Sequence, residues 1–347
     1  MILKEEDAIY AANKFIDYFS SFNRIDDYLR YVKGDRVEDA RGCLFAIEDD
    51  FFQSFDMSPN DMDFEIHIVD DKTKWNSWTF FETLNLTASN AIETSIPGRN
   101  HKWIVIEKNT GSIVGVVRFG SPTVNSKPRN DYFDRVVPLS EINQHFVMGF
   151  NIVPVQPFGY NYLGGKLLAL LACSDRLKRE FDNKYGTELK YFETTSLYGT
   201  TKGVSMYDGL KPFMRHIGDT VSDFTPLLHD DVFKDLNRWF IEKNDGTELI
   251  KADASSRKLK IQTKMISIIK KSLPSQKVVE FTTAIANAKN LTEKKRYYFS
   301  QFNHTPEEAI EWWKKKATKR YEKLKSEGRL RTELELWKKG SNLEIIR

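Results

Sequence analysis

The stretch HFVMGFNIVPVQPFGYNYLGGKLLALLA, residues 145–172, decides how this chain is read. HFVMGFNIVPV (145–155) has the branched and aromatic content of a strand, and an apolar run headed by two glycines and a lysine follows it. A strand that turns through glycine into a buried helix is the first half of a strand–helix–strand crossover. The second half comes next. The helix is expected to run to Tyr185-Gly186, with Gly186 as its cap, and ELKYFETTSLYG (188–199) reads as the following strand.

Working outward, FEIHIV (64–69) alternates like a strand and KWNSWTFFETLNLTASNAI (74–92) fits a helix. KWIVIEK (102–108) and SIVGVVRFG (112–120) form two strands joined by the hairpin signal Asn109-Thr110-Gly111. A polar stretch, SPTVNSKPRNDYFD, interrupts before residue 145. SMYDGLKPFMRHIG (205–218) predicts a short helix broken at Gly209 and Pro212 and closed by Gly218. The expected fold is α/β in the α+β sense: a mixed, mostly antiparallel sheet flanked by helices, with one right-handed crossover.

Residues 1–60 read as an acidic helical lead-in, with Tyr10, Phe15, Tyr18 and Phe22 near helical spacing. The core is expected over 61–228 and a basic helical region over 229–347. Residues 307–339 predict one long helix, with Thr305 as N-cap and Pro306 in its first turn.

Hydrophobic residues make up 40% of the chain and aromatics 13%, enough for a packed core and against global disorder. Cys43 and Cys173 form no CxxC pair. No signal peptide and no apolar run near 18 residues is present, so a cytoplasmic protein without a membrane partner is expected. The net charge of +3 conceals a polarity: residues 256–347 carry 23 Lys+Arg against 10 Asp+Glu, whereas the rest carries 29 against 39. A basic region on an acidic body points to an anionic polymer, DNA foremost, with solvated helical faces as the plain alternative.

Three readings compete for the double glycine. A nucleotide P-loop fails, because the spacing from Gly159 carries one glycine too many and Leu167 stands where a Ser or Thr must hold magnesium; no ATP site is expected. A dinucleotide fingerprint fails for want of a GxGxxG frame. A structural role explains the leucines of the helix. A phosphate-binding turn explains Gly164, Gly165 and Lys166 together, since open amides at a helix start attract anions; Asn161 and the strand-end residues Val153 and Val155 would complete it.

The order strand, YNYLGG turn, helix, strand resembles the GNAT N-acetyltransferase superfamily, in which a glycine-containing loop of this kind holds the pyrophosphate of acyl-coenzyme A. The usual loop opens with Gln or Arg; this chain offers Asn161 there and Lys166 at the end. WIVIEKNTGSIVGVVRFGSP, NIVPVQPFGYNYLGGKLLALL and YFETTSLYGTTKGVSMYDGLKPFMRHIGDT also look like the Druantia anti-phage DruA family, and in layout like phage Mom-type DNA-modification proteins. The second block of that likeness is Glu193, Thr194, Gly203, Tyr207, Gly218 and Thr220. The resemblance spans about 100–225 and implies a GNAT-like sheet, acyl-CoA as a candidate cofactor, and action on DNA in phage–host conflict.

Glu193 ends a strand, where sheets of this class place ligands, and is the candidate general base; the plain alternative is a carboxylate capping a helix or paired with Arg215. The resemblance implies that Tyr207 reprotonates a leaving thiolate, with Ser205, Asp208 and Tyr198 around it; a core tyrosine is the competing reading. Arg118, Arg215 and Lys166 are candidates for phosphate. In the basic helix, Lys314, Lys315, Lys316, Lys319 and Arg320 would follow a DNA backbone, and the excess of Lys over Arg favours sequence-independent contact. The six histidines share no metal-ligand spacing, so no metal is expected. The first expectation is thus a GNAT-like transferase modifying a nucleobase. A non-catalytic DNA-binding protein on the same scaffold is the second, and an N-acetyltransferase of a protein or small molecule the third.

Overall fold

The computed structural model describes residues 1–39, 47–89, 98–196, 207–220, 226–254, 257–290, 295–338, 341 and 343. In chain order the first elements are α1 (Glu5–Ser20), α2 (Ile25–Asp39), β1 (Phe64–Ile68), α3 (Ser77–Thr87), β2 (Asn100–Glu107) and β3 (Ser112–Gly120). Next come α4 (Lys127–Tyr132), α5 (Leu139–His145), β4 (Phe146–Pro154), α6 (Phe158–Tyr162), α7 (Gly164–Ala172), α8 (Asp175–Tyr185) and β5 (Tyr191–Ser196). The last are β6 (Arg215–Asp219), α9 (Asp230–Glu242), α10 (Arg257–Ser272), α11 (Ser275–Asn290), β7 (Arg296–Ser300) and α12 (Pro306–Ser326).

These elements divide between two compact units, one of residues 1–28 and 222–293, the other of residues 29–221 and 294–347. The first is helical. In it Phe15 of α1 meets Phe281 of α11 edge-on, and Tyr10 lies against Trp239 of α9.

The second unit holds one seven-stranded sheet in the order β1-β2-β3-β4-β5-β7-β6. Every neighbouring pair is antiparallel except β4 and β5, which are parallel, so the mixed sheet with one crossover is as the sequence implied. The β2–β3 hairpin is fixed by the buried Glu107 carboxylate, which accepts from Thr110 N at 2.8 Å and Asn109 N at 3.2 Å, while Gly111 takes φ 68°. On one face Trp103, Val105 and Val117 pack with Leu167, Leu168 and Leu171 of α7 and Trp313 of α12. On the other, Ile104, Ile106 and Val116 pack with Phe80 and Leu84 of α3, and Phe146 and Phe299 gather under Ile142 of α5. A Cβ on Gly115 would stand 2.5 Å from Leu168 Cδ1 and 2.7 Å from Val153 O, so glycine lets α7 settle on the strands.

Four expectations change. The helix of the crossover is two helices, broken at Cys173-Ser174, where the Ser174 hydroxyl donates to Leu171 O at 2.7 Å and Asp175 N donates to His304 O at 2.9 Å; Gly186 caps the second one with φ 64°. The described part of 205–218 is a turn followed by β6, with Gly218 inside the strand at a register irregularity rather than closing a helix. RYYFS (296–300), placed in the basic helical region, is instead β7, the strand between β5 and β6. The last helix keeps Thr305 as N-cap in a full capping box but stops at Ser326, ahead of Gly328 at φ 62°. Beyond it the described residues to 338 form no helix or strand, and Leu336 and Trp337 are buried.

Candidate functional site

The sheet opens where its parallel pair ends. β4 and β5 are registered only from Phe146↔Tyr191 to Gly149↔Thr194. Past that point β4 stays with β3 to Pro154, and β5 stays with β7 to Ser196. An irregularity opposite Arg118/Phe119 leaves Phe150 out of register, and residues 150–154 are only half-buried although β4 lies mid-sheet. The Thr194 hydroxyl donates to Gly149 O at 2.9 Å at the fork. A crevice at the carboxyl ends of parting parallel strands is where open α/β sheets receive ligands.

The double-glycine turn flanks that opening but is itself filled. Leu163 takes φ 56°, and Lys166 N and Leu167 N both donate to its carbonyl. Gly164 and Gly165 are buried; a Cβ on Gly164 would stand 2.6 Å from the Phe158 ring. The Asn161 amide serves the segment after α12: its Nδ2 donates to Arg331 O at 2.7 Å and its Oδ1 accepts from Arg331 N at 3.1 Å. Val155 is fully buried against α3 and donates its N–H to Val114 O, while Val153 lies half-buried beside it.

Lys166 is different. Its Nζ lies 3.4 Å from where a Cβ on Gly209 would stand, so it reaches across to the chain that follows β5. Burial pulls its ammonium below the ordinary lysine range, and the nearby charges of Lys316 and Arg320 pull it further. The Arg320 guanidinium stacks 4.8 Å from the Tyr160 ring, with Arg331 at 4.0 Å on the same ring and Arg329 Nη2 donating to the Tyr160 hydroxyl at 3.3 Å. Lys166, Lys316 and Arg320, assigned from sequence to two different tasks, therefore form one cluster.

The opposite lip carries a linked polar set. Tyr298 Oη donates to Asp208 Oδ1 at 2.6 Å, and Arg296 Nη1 donates to Asp208 Oδ2 at 2.9 Å. Arg296 Nη2 donates to His216 Nδ1 at 3.2 Å, which leaves that nitrogen bare and puts the imidazole proton on Nε2, 2.9 Å from Asp219 Oδ1. Tyr207 sits in the apolar core, edge-on to Tyr298 at 5.4 Å, and burial pushes its hydroxyl up. Tyr198 and Ser205 lie outside the described residues.

Glu193 is fully buried on the sheet's other face and is bound by Arg129, not by Arg215. Arg129 Nε donates to Oε1 at 2.8 Å and Nη2 to Oε2 at 3.0 Å. The guanidinium is fixed further by the carbonyls of Thr123 (2.8 Å) and Val124 (3.3 Å) and stacks on Phe146 at 5.3 Å. Burial works against both charges and pushes the Glu193 carboxyl up; at Arg129 the facing carboxylate outweighs burial and holds the guanidinium above its usual value. The buried hydroxyls of Tyr297 and Ser126 lie beside this pair. Arg129 was missed because it stands in a stretch that reads as loop; Ser126-Lys127-Pro128, a proline at a helix start, was the available signal.

The remaining phosphate candidates separate by exposure. Arg118 is 1% exposed, with Nε donating to Asn100 Oδ1 at 3.3 Å and the Phe81 ring 5.5 Å from Cζ. Arg215 is exposed on the edge strand β6. Lys315, Lys316 and Lys319 are exposed on α12, Arg320 is half-buried, and Lys314 is half-buried 3.9 Å from Glu311. Among the described residues, no group of three His, Cys, Asp or Glu side chains could hold a metal ion, and no helix is long and apolar enough to cross a membrane.

Residues 43–204 match the family model for Druantia protein DruA. The matched stretch contains β1 to β5, the whole crossover and the fork, and stops before Asp208, β6, β7 and α12. No curated protein and no solved structure shows significant similarity to the chain.

Proposed function

We propose that this chain is a DNA-binding protein of phage–host conflict, which holds the phosphate backbone on the surface shared by α12 and the head of α7. The carrying observation is the convergence of Lys166, Lys316 and Arg320 from two elements far apart in sequence. Like charges brought together at a half-buried site destabilise the empty protein, and an anion lying between them relieves that repulsion. Exposed Lys315 and Lys319 extend the field along the helix. Lysine is a point charge without arginine's bidentate fork, so the expected contact is with phosphate rather than with base edges. The likeness to DruA supports the setting.

The test is duplex binding over a series of salt concentrations. Lys166→Ala/Lys316→Ala/Arg320→Ala is expected to weaken binding to all sequences alike and to flatten the salt dependence by about 0.9 per lost phosphate contact. An unchanged affinity and slope would reject the reading.

A second reading, a GNAT-like transferase acting on DNA, is favoured by the parted β4/β5 pair and by the Asp208–Tyr298 contact on its lip. In it the Lys166 cluster would hold the phosphates of a donor, with acyl-CoA as the candidate source of the acyl group, and Asp208, through Tyr298, would take the proton that the attacking amine loses and that the leaving thiolate finally receives. Glu193 has no part, because both of its oxygens are engaged by Arg129. Mass spectra of digested nucleosides decide: a mass shift in DNA from expressing cells that vanishes with Asp208→Asn supports transfer, and ordinary nucleosides throughout rule it out.

A further inference from the structure

We infer that α10, in the helical unit, is a second and separate DNA-backbone contact. Its sequence RKLKIQTKMISIIKKS holds six Lys+Arg and no acidic residue. Ile261, Gln262, Met265, Ile268 and Ile269 are buried, and Lys260, Lys264, Lys270 and Lys271 are exposed. At 100° per residue, Lys260, Lys264 and Lys271 fall within about 40° of one another around the axis, a line of charge roughly 16 Å long.

Ordinary helix chemistry accounts for only part of this. Lys270 and Lys271 sit in the last turn, where cations complement the negative end of the helix dipole. The first turn carries cations against the positive end of the dipole, where like charge is unfavourable: Arg257 pairs with Glu248 at 2.6 Å and Lys258 lies 5.0 Å over the Phe233 ring, while Lys260 is exposed. Lys260 and Lys264 are a like-charge i,i+4 pair, unfavourable again. Nor is acid scarce in this unit, since α1 opens with Glu5, Glu6 and Asp7. Lys260, Lys264 and Lys271 therefore gather like charge along one exposed line, which a polyanion would complement.

Among polyanions, duplex DNA fits better than an anionic membrane. A helix lying on a lipid surface needs a broad apolar face for the acyl boundary. The apolar face of α10 is already used inside its own unit, leaving Leu259, 39% exposed, as the large aliphatic side chain of the outer side. Lysines in a row suit the regular charge of a duplex and require no particular sequence.

The partner class is that of the proposed function, but the residues are independent of α12, and the two can fail separately. The full chain is titrated with a mixed-sequence duplex across salt concentrations, comparing Lys260→Gln/Lys264→Gln/Lys271→Gln with Lys316→Gln/Arg320→Gln, circular dichroism confirming the fold of each. The α10 variant is expected to lose about an order of magnitude in affinity at low salt and up to about 2.7 in salt slope for three lost contacts. Unchanged affinity and slope would overturn the inference. So would lost binding to vesicles of phosphatidylserine with duplex binding intact. If the α12 variant alone is silent, the surface at α7 and α12 is wrong and α10 stands.

Discussion

Arg129 and Glu193 face each other as a two-toothed ion pair, 2.8 and 3.0 Å between partners, with neither side chain exposed. It joins α4 to the centre of the sheet, a link between a short polar segment and β5 that spans 64 residues of chain. Removing one partner strands a buried charge, which costs about 3–5 kcal/mol, whereas replacing both with apolar groups is near neutral. Arg129→Ala should lower the urea midpoint of the sheet unit accordingly, and Arg129→Met/Glu193→Leu should recover most of the loss. A single variant as stable as the parent would show that the pair is not held as described. A double variant that folds and binds DNA normally would show that Glu193 is not needed for binding.

Gly164 separates packing from anion binding at the double glycine. A methyl there would enter the Phe158 ring at 2.6 Å and approach Gly159 Cα at 3.1 Å. Gly164→Ala is expected to destabilise by about 1–3 kcal/mol, the usual range for overpacking. DNA affinity of the folded fraction should stay unchanged. If affinity falls while the denaturation midpoint holds, the turn's amides touch a ligand after all.

The sequence made the sheet legible where a local pattern matched the final environment. SIVGVVRFG has the branched residues of a strand, and Asn109-Thr110-Gly111 names its turn, so the hairpin could be read directly. RYYFS could not, because five residues inside a basic, helix-rich stretch become a strand only by pairing with β5 and β6, both far off in sequence. The candidate site follows the same division. Lys166 was visible beside its glycines, but its union with Lys316 and Arg320 depends on where α12 lies, and composition does not carry that. Asn161 looked like a loop ligand because its partner, the backbone of Arg331, is 170 residues away. Asp208 was picked out, yet Tyr298 and Arg296, which donate to its carboxylate, sit on the strand that was not foreseen.

The repulsion at Lys166 makes binding and stability move in opposite directions. Lys166→Met keeps the aliphatic stem and removes the charge that burial and the neighbours Lys316 and Arg320 disfavour. Without DNA this variant should denature at a higher urea concentration than the parent; with saturating duplex the order should reverse, since the parent gains more from the ligand. A variant less stable than the parent in the absence of DNA would mean that the ammonium already has a stabilising partner.

His304 sets an acid limit on the fold. It is 4% exposed, its Nε2–H donates to Leu170 O at 2.8 Å, and burial holds its imidazole below the ordinary histidine value. The unfolded chain therefore takes up this proton first, so the stability contributed by neutral His304 is complete above about pH 6.5 and is lost as pH falls through the folded value. His67, lowered mainly by burial, acts in the same direction. Between the unfolded and folded values, stability should fall by at most about 1.4 kcal/mol per pH unit for each group. His304→Gln keeps a donor for Leu170 O without a titrating ring, and should flatten the decline between pH 6.5 and 5 by its share. Urea midpoints measured across that range check it, and an undiminished slope in His304→Gln would place the acid sensitivity elsewhere.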